Sequence, residues 1–190
     1  MQPKSNSRIA GINLLMAIPC LVLLFEASAR ADEFAALGTL PGGAEVVEGL
    51  TFTFAPGEGL SWHFHPADEY AVILSGELTE DRGCGLETRV FDVGDAFHEP
   101  AGLVHMVKNN GSVDFHGFAT GVLPICFTDF NDGIAVAGPH CSGEGSCRCR
   151  VPTCDELALC TLNKETGLWE CPDELIQPCE SVGSQRVGHK

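Results

Sequence analysis

Positive charge is scarce in this sequence. The 11 lysines and arginines stand against 26 aspartates and glutamates, and the formal net charge is −15. Between Asp32 and Phe130 the basic residues are Arg82, Arg89 and Lys108 alone. A groove that follows a polyanionic backbone needs a row of lysines and arginines, so the sequence argues against nucleic acid as a partner and against adsorption to anionic membranes. The same scarcity argues against substrates with several carboxylates, each of which is usually held by an arginine fork, although a divalent ion can reverse the field locally. Large apolar residues are also few in the cysteine-rich stretch from Cys141 to Cys179, the main ones being Leu157, Leu159, Leu162, Leu168, Trp169 and Ile176. So small a core does not hold a fold alone, and cross-links are the usual remedy. C-x2-C spacing, common in structural zinc sites, is missing from the cysteines there, which leaves His140, Cys141, Cys147 and Cys149 as a minor zinc alternative.

Two stretches carry chemistry. Gly57 to Gly76 reads GEGLSWHFHPADEYAVILSG, and Gly94 to Asn109 reads GDAFHEPAGLVHMVKN. On an extended strand successive side chains alternate faces, so His63 and His65 point one way while Trp62 and Phe64 point the other. Glu69 follows across Pro66-Ala67-Asp68, where proline fixes φ and the chain turns, bringing its carboxylate back toward the same point. His105 completes the set from the second stretch. Imidazoles with one carboxylate suit one divalent transition metal, with iron, manganese, copper, nickel and zinc all eligible, and four protein ligands leave up to two open positions on an octahedral ion. His98 and His116 are further candidates, as groups that orient the site or carry protons, because imidazole titrates near neutrality. The alternative for each is a hydrogen-bonded or surface histidine. Glu99 and Asp68 read as solvated turn carboxylates, and Phe97, Met106 and Val107 as walls of the interior.

At these residues the sequence resembles the cupin family, whose two motifs are G(X)5HXH(X)3-4E(X)6G and G(X)5PXG(X)2H(X)3N. Gly57, His63, His65, Glu69 and Gly76 meet the first, and Gly94, Pro100, Gly102, His105 and Asn109 meet the second. The resemblance covers about residues 45 to 125. It implies an all-β fold, a double-stranded β-helix or small jelly-roll barrel, followed by a small disulfide-rich, loop-dominated C-terminal region. It also implies a menu of activities, since cupins with three histidines and one glutamate include dioxygenases, oxalate-processing enzymes, sugar isomerases and superoxide-dismutating germins. The leading expectation is a metal-dependent, dioxygenase-like oxidoreductase acting on a small organic molecule, with iron, manganese or copper favoured over zinc or nickel. In it His63, His65, Glu69 and His105 hold the ion, and Glu69 also accepts a proton from the substrate. The alternatives are a non-catalytic small-ligand or metal-binding module and an interaction protein that works through its tail.

Before the barrel, Lys4 and Arg8 precede an uncharged run from Ile9 to Phe25, and Ala29-Arg30-Ala31 supplies small residues for a signal peptidase. Residues 1–31 therefore read as a secretory signal peptide, with a membrane anchor as the alternative. Its removal leaves the chain more acidic still, with no membrane attachment. The protein is expected to be exported, periplasmic or extracellular, where the remaining cysteines pair. Residues 32–44 read as a lead-in arm, 45–130 as the barrel, 131–180 as a cysteine-rich module and 181–190 as a disordered tail. One or two strands are expected between Glu45 and Pro56-Gly57, and further strands over 69–75, 88–91 and 113–123, with Glu69, Ala71, Ile73 and Ser75 facing inward. Tyr70, Val72 and Leu74 make the opposite face of that strand apolar too, which calls for the other sheet or a second copy in a homodimer. Cys84 falls at an exposed hairpin tip as the leftover cysteine, free, joined to Cys126, or bridging two subunits. The module is a stabilising appendage, a lid, or a protein-contact surface.

Overall fold

The computed structural model describes residues 30–39, 45–124, 126, 133–139, 145–177 and 179–182. Two sheets hold most of them. The first has the order β1-β2-β9-β4-β7, built from Arg30–Thr39 (β1), Glu45–Phe54 (β2), Phe115–Pro124 (β9), Glu69–Ser75 (β4) and Ala96–Glu99 (β7). The second has the order β12-β13-β10-β3-β8-β5-β6, from Thr161–Leu162 (β12), Trp169–Glu170 (β13), Ile134–Ala135 (β10), Gly59–Phe64 (β3), His105–Lys108 (β8), Leu78–Asp81 (β5) and Arg89–Phe91 (β6). A small third sheet pairs Ser146–Arg148 (β11) with Glu180–Val182 (β14). The short helices are Cys154–Leu157 (α1) and Asp173–Ile176 (α2). No helix among the described residues is long and apolar enough to cross a membrane.

Alternation decides which side chains enter the barrel. Leu50, Ala71, Ile73, Phe97, Phe115 and Ala119 from the first sheet meet Leu78, Phe91 and Val107 from the second in one buried cluster, with Phe54 stacked on Phe115 at 5.7 Å. Glu69, Ala71 and Ile73 are buried on β4 while Tyr70 and Leu74 are exposed, as the period of two requires. Asn109 ends β8 and knots the far end of the barrel. Its side-chain amide donates to the carbonyls of Phe54 and Val113, at 2.8 Å each, and its oxygen accepts from the Gly111 N–H at 2.9 Å.

The outer face of β3 and its surroundings is covered by the C-terminal region. Phe64 and Val104 pack with Ile134, Cys147, Leu157 and Ile176 in a second buried cluster, and Trp62 and Trp169 lie against it. The tail thus borrows the back of the barrel to make up for its own small core. It also extends the barrel's sheet, since β10 runs antiparallel to β3 with Ile134 opposite Phe64 and Ala135 opposite His63. Disulfides join Cys126 to Cys154, Cys149 to Cys179, and Cys160 to Cys171.

Several expectations change here. Residues 32–39 of the expected lead-in arm form an edge strand, which begins at Arg30 and Ala31, opposite Thr53 and Phe52. Ser181 and Val182 belong to β14 rather than to a disordered end. Cys84 is disulfide-bonded and half-buried against the second cluster, and Cys126 is not its partner. The disulfide of Cys149 removes it from any zinc set. Residues 1–29, which hold most of the signal-peptide expectation, together with His140 and Cys141, lie outside the described residues.

Candidate metal centre

Both sheets supply the site. From the second, β3 and the residue after it bring His63 and His65, and β8 brings His105, directly opposite His63 in the strand register. From the first, β4 brings Glu69 and β7 brings Glu99, which are also direct cross-strand partners. The links between these strands are tied together. Gly102 N–H donates to the His65 carbonyl at 2.9 Å, and Ala101 N–H donates to Asp68 Oδ1 at 2.8 Å. Gly102 has φ +76°, and a Cβ there would lie 2.5 Å from the Cys149 carbonyl oxygen, so the turn that aims His105 inward requires glycine twice over.

The three imidazoles converge. Ring centroids are 4.3 Å apart for His63 and His105, 5.0 Å for His63 and His65, and 5.2 Å for His65 and His105. One ligand nitrogen from each lies within 4.8 Å of the others, and all three residues are buried. Their tautomers are set from behind. His63 Nδ1 sits 2.7 Å from the Ser61 carbonyl, and His105 Nδ1 sits 3.0 Å from the Leu103 carbonyl. A carbonyl only accepts, so each Nδ1 carries the proton and each Nε2 turns a lone pair to the centre, the arrangement that metal-binding histidines use.

The carboxylates sit differently. Glu69 Oε2 is 3.5 Å from His65 Nδ1, whereas Glu99 reaches the other ring nitrogen, with Oε2 3.4 Å from His65 Nε2 and Oε1 3.2 Å from His105 Nε2. Glu99 is only 3% exposed, so it is no solvated turn residue. Burial alone would raise its pKa, but His105 and His65 outweigh that and hold it well below the usual carboxylate range. Burial, with His105 and His65 nearby, pushes the His63 pKa well below that of an ordinary imidazole. Among the buried side-chain atoms left without a hydrogen bond are His63 Nε2 and Glu99 Oε1, both at this centre. Orphaned lone pairs beside two opposed carboxylates are the donor set of a cation site, so the residues present fit a divalent ion.

His98 and His116 do not join it. On β7 the pattern is Phe97 in, His98 out and Glu99 in. His98 stacks on Tyr70 at 4.5 Å and pairs with Asp68 at 3.3 Å on the outer surface. His116 is exposed on β9, with Nδ1 3.0 Å from Thr53 Oγ1. Phe97 and Val107 lie in the barrel core as expected, while Met106 is half-buried on the other side of β8. Glu99 was legible in principle, because it shares parity with the core residue Phe97. Contact from the tail had no signal at all: Gly133 lies against His63, where a Cβ would come 2.7 Å from its Cδ2.

Residues 50–120 match the family model described as a cupin domain. A germin-like protein 5-1 from Oryza sativa subsp. japonica is 36% identical over 91 residues, which are 45% of this chain and 37% of that protein, so the chain spans little more than a third of this relative's length. Among solved structures, a conserved protein with a double-stranded β-helix domain from Klebsiella pneumoniae is 23% identical, with TM-score 0.40 over 51% of this chain and 77% of the other. A cupin domain from Bordetella pertussis is 22% identical, with TM-score 0.39 over 50% and 94%. With both motifs intact and their residues gathered at one buried centre, residues 50–120 form a cupin domain, and the chain carries a disulfide-linked C-terminal extension on that barrel.

Proposed function

We propose that this chain is an exported, metal-binding cupin that works as a metal-dependent, dioxygenase-like oxidoreductase on a small organic molecule. The observation that carries the reading is the pair of buried, unpartnered donors, His63 Nε2 and Glu99 Oε1, beside two further imidazoles and a second carboxylate. Leaving such groups bare in a protein interior is costly, and a cation relieves it. His63, His65 and His105 would hold the ion through Nε2, with Glu69 as the carboxylate that the motif assigns. Iron, manganese or copper suits the redox chemistry, with zinc or nickel as alternatives. A bound ion of this kind supplies Lewis acidity and, when redox-active, electron exchange between O₂ and an oxygen-chelating substrate. In this reading Glu69 takes the substrate's proton, and the burial of the donor residues limits their contact with bulk water.

Export is supported by the disulfides, which persist in oxidising compartments. The acidic chain favours a small molecule over nucleic acid, and the exposed Tyr70 and Leu74 suit a second copy as partner. One observation favours a second reading, a non-catalytic ligand or metal carrier: both histidines that were candidate proton carriers lie outside the barrel. Elemental analysis decides between them. Protein purified from an oxidising compartment without added metal should hold about one equivalent of iron, manganese or copper, absent from His63→Ala, and should then be screened for oxygen uptake with small chelating substrates. Zinc alone supports the carrier. Metal content unchanged in a His63→Ala, His105→Ala double variant would overturn the site assignment.

A further inference from the structure

We infer that Glu99 is an inner ligand of the bound ion, additional to the set that the two motifs assign; the inference rests on the metal reading above. Three observations lead there. Glu99 presents both carboxylate oxygens to the Nε2 edges of the triad, at 3.2 Å from His105 and 3.4 Å from His65. Neighbouring donors around an ion with bonds of about 2.1 Å stand about 3 Å apart, so these are the separations of ligands sharing one ion. The Leu103 carbonyl holds His105 Nδ1, which turns the other ring nitrogen, Nε2, toward Glu99. Glu99 Oε1, moreover, has no hydrogen bond of its own.

The strand register makes the same point independently. Glu69 and Glu99 are direct cross-strand partners, both buried and both turned inward. Like charges directly opposite in an antiparallel pair repel, and burial strengthens the repulsion. Glu69 relieves part of it by turning to His65 Nδ1, while Glu99 meets Nε2 of the same ring. Glu99 is left as the carboxylate that meets the Nε2 atoms of His65 and His105. The consequence is for substrate. With Glu69 and Glu99 both on the ion, one open position remains instead of two, and a chelating substrate must displace a carboxylate or bind through a single oxygen. With Glu69 held at His65 Nδ1, Glu99 takes its place in the set and two positions stay open.

The test counts water. Full-length, disulfide-intact protein is loaded with Mn²⁺, and the water molecules on the ion are counted by pulsed EPR in ¹⁷O-labelled water. Glu99→Ala should carry one more water than the unmodified chain, and equal counts in a well-bound ion would overturn the inference. Glu99→Gln, which keeps the shape, guards against a folding failure of the alanine variant. Its Mn²⁺ affinity should fall by about 100-fold, the upper end of what loss of an outer partner costs, and an unchanged affinity would equally overturn it. If the unmodified chain and His63→Ala both fail to take up Mn²⁺, the metal reading itself falls and Glu99 with it. Binding by the unmodified chain and not by His63→Ala keeps that reading and leaves the water count to judge Glu99.

Discussion

Gly133 ties the tail to the metal centre, and a matched pair of substitutions tests whether that contact matters. Gly133 and Gly94 share the same backbone angle, φ +91°, where any L side chain is strained. Around Gly94 a new Cβ meets nothing within 4 Å, whereas at Gly133 it would come 2.7 Å from His63 Cδ2 and 3.1 Å from the Phe64 carbonyl oxygen. Alanine at either position should therefore lose about 1–2 kcal/mol to left-handed backbone strain. At Gly133 the displaced ring and backbone should add about 1–3 kcal/mol of overpacking. The measurement is urea unfolding of the disulfide-intact variants, combined with Mn²⁺ titration. Gly94→Ala should leave metal affinity as it was. Gly133→Ala should weaken it by about 10-fold or more, as expected when the support of a metal ligand shifts. Equal stability losses and equal affinities in the two variants would refute the idea that the tail holds the histidine in place.

Other expectations follow from the same structure. Asn109→Ala removes three hydrogen bonds and leaves the carbonyls of Phe54 and Val113 without their donor, so thermal unfolding should show a loss of about 2–4 kcal/mol. A loss under about 0.5 kcal/mol, typical of an ordinary surface change, would contradict the knot. His98→Gln and His116→Gln should leave metal content unchanged, because both rings lie on the outer faces of their strands; depletion in either would show that the ring reaches the centre. Glu156 in the tail accepts from the Arg150 guanidinium and from Thr153, and the arginine first, then the cap, lowers its pKa to about 2. A carboxylate lowered on folding contributes stability above its ordinary pKa, and that stability is lost as pH falls through the folded value. The Glu156 side chain should thus titrate near 2 by NMR, and a midpoint at the model-compound value of 4.5 would refute the pairing.

The barrel and its histidines were legible in the sequence because both depend on local rules. Period-two alternation placed His63 with His65 and buried Glu69, Ala71 and Ile73 on one face. The glycine and proline positions of the motifs set the turns, so His105 could be assigned without knowing what lay around it. Parity could equally have turned Glu99 inward and His98 outward, but solvated turn residues next to a proline have the same composition as a buried ligand. Only the pairing of β4 with β7 put Glu99 opposite Glu69.

The tail shows the other limit. Its sparse apolar residues correctly indicated that it could not fold on a core of its own, but nothing local says which surface it will borrow. That choice belongs to contacts between distant residues, such as Ile134 on Phe64 and Gly133 on His63, and to disulfides whose pairing follows from the folded geometry rather than from spacing. The sequence by itself determined a barrel and three converging imidazoles, because strand periodicity and turn chemistry act within a few residues. Tertiary structure alone decided which carboxylate meets the Nε2 atoms of His65 and His105 and which tail segment packs against the first histidine, because those depend on which strands become neighbours.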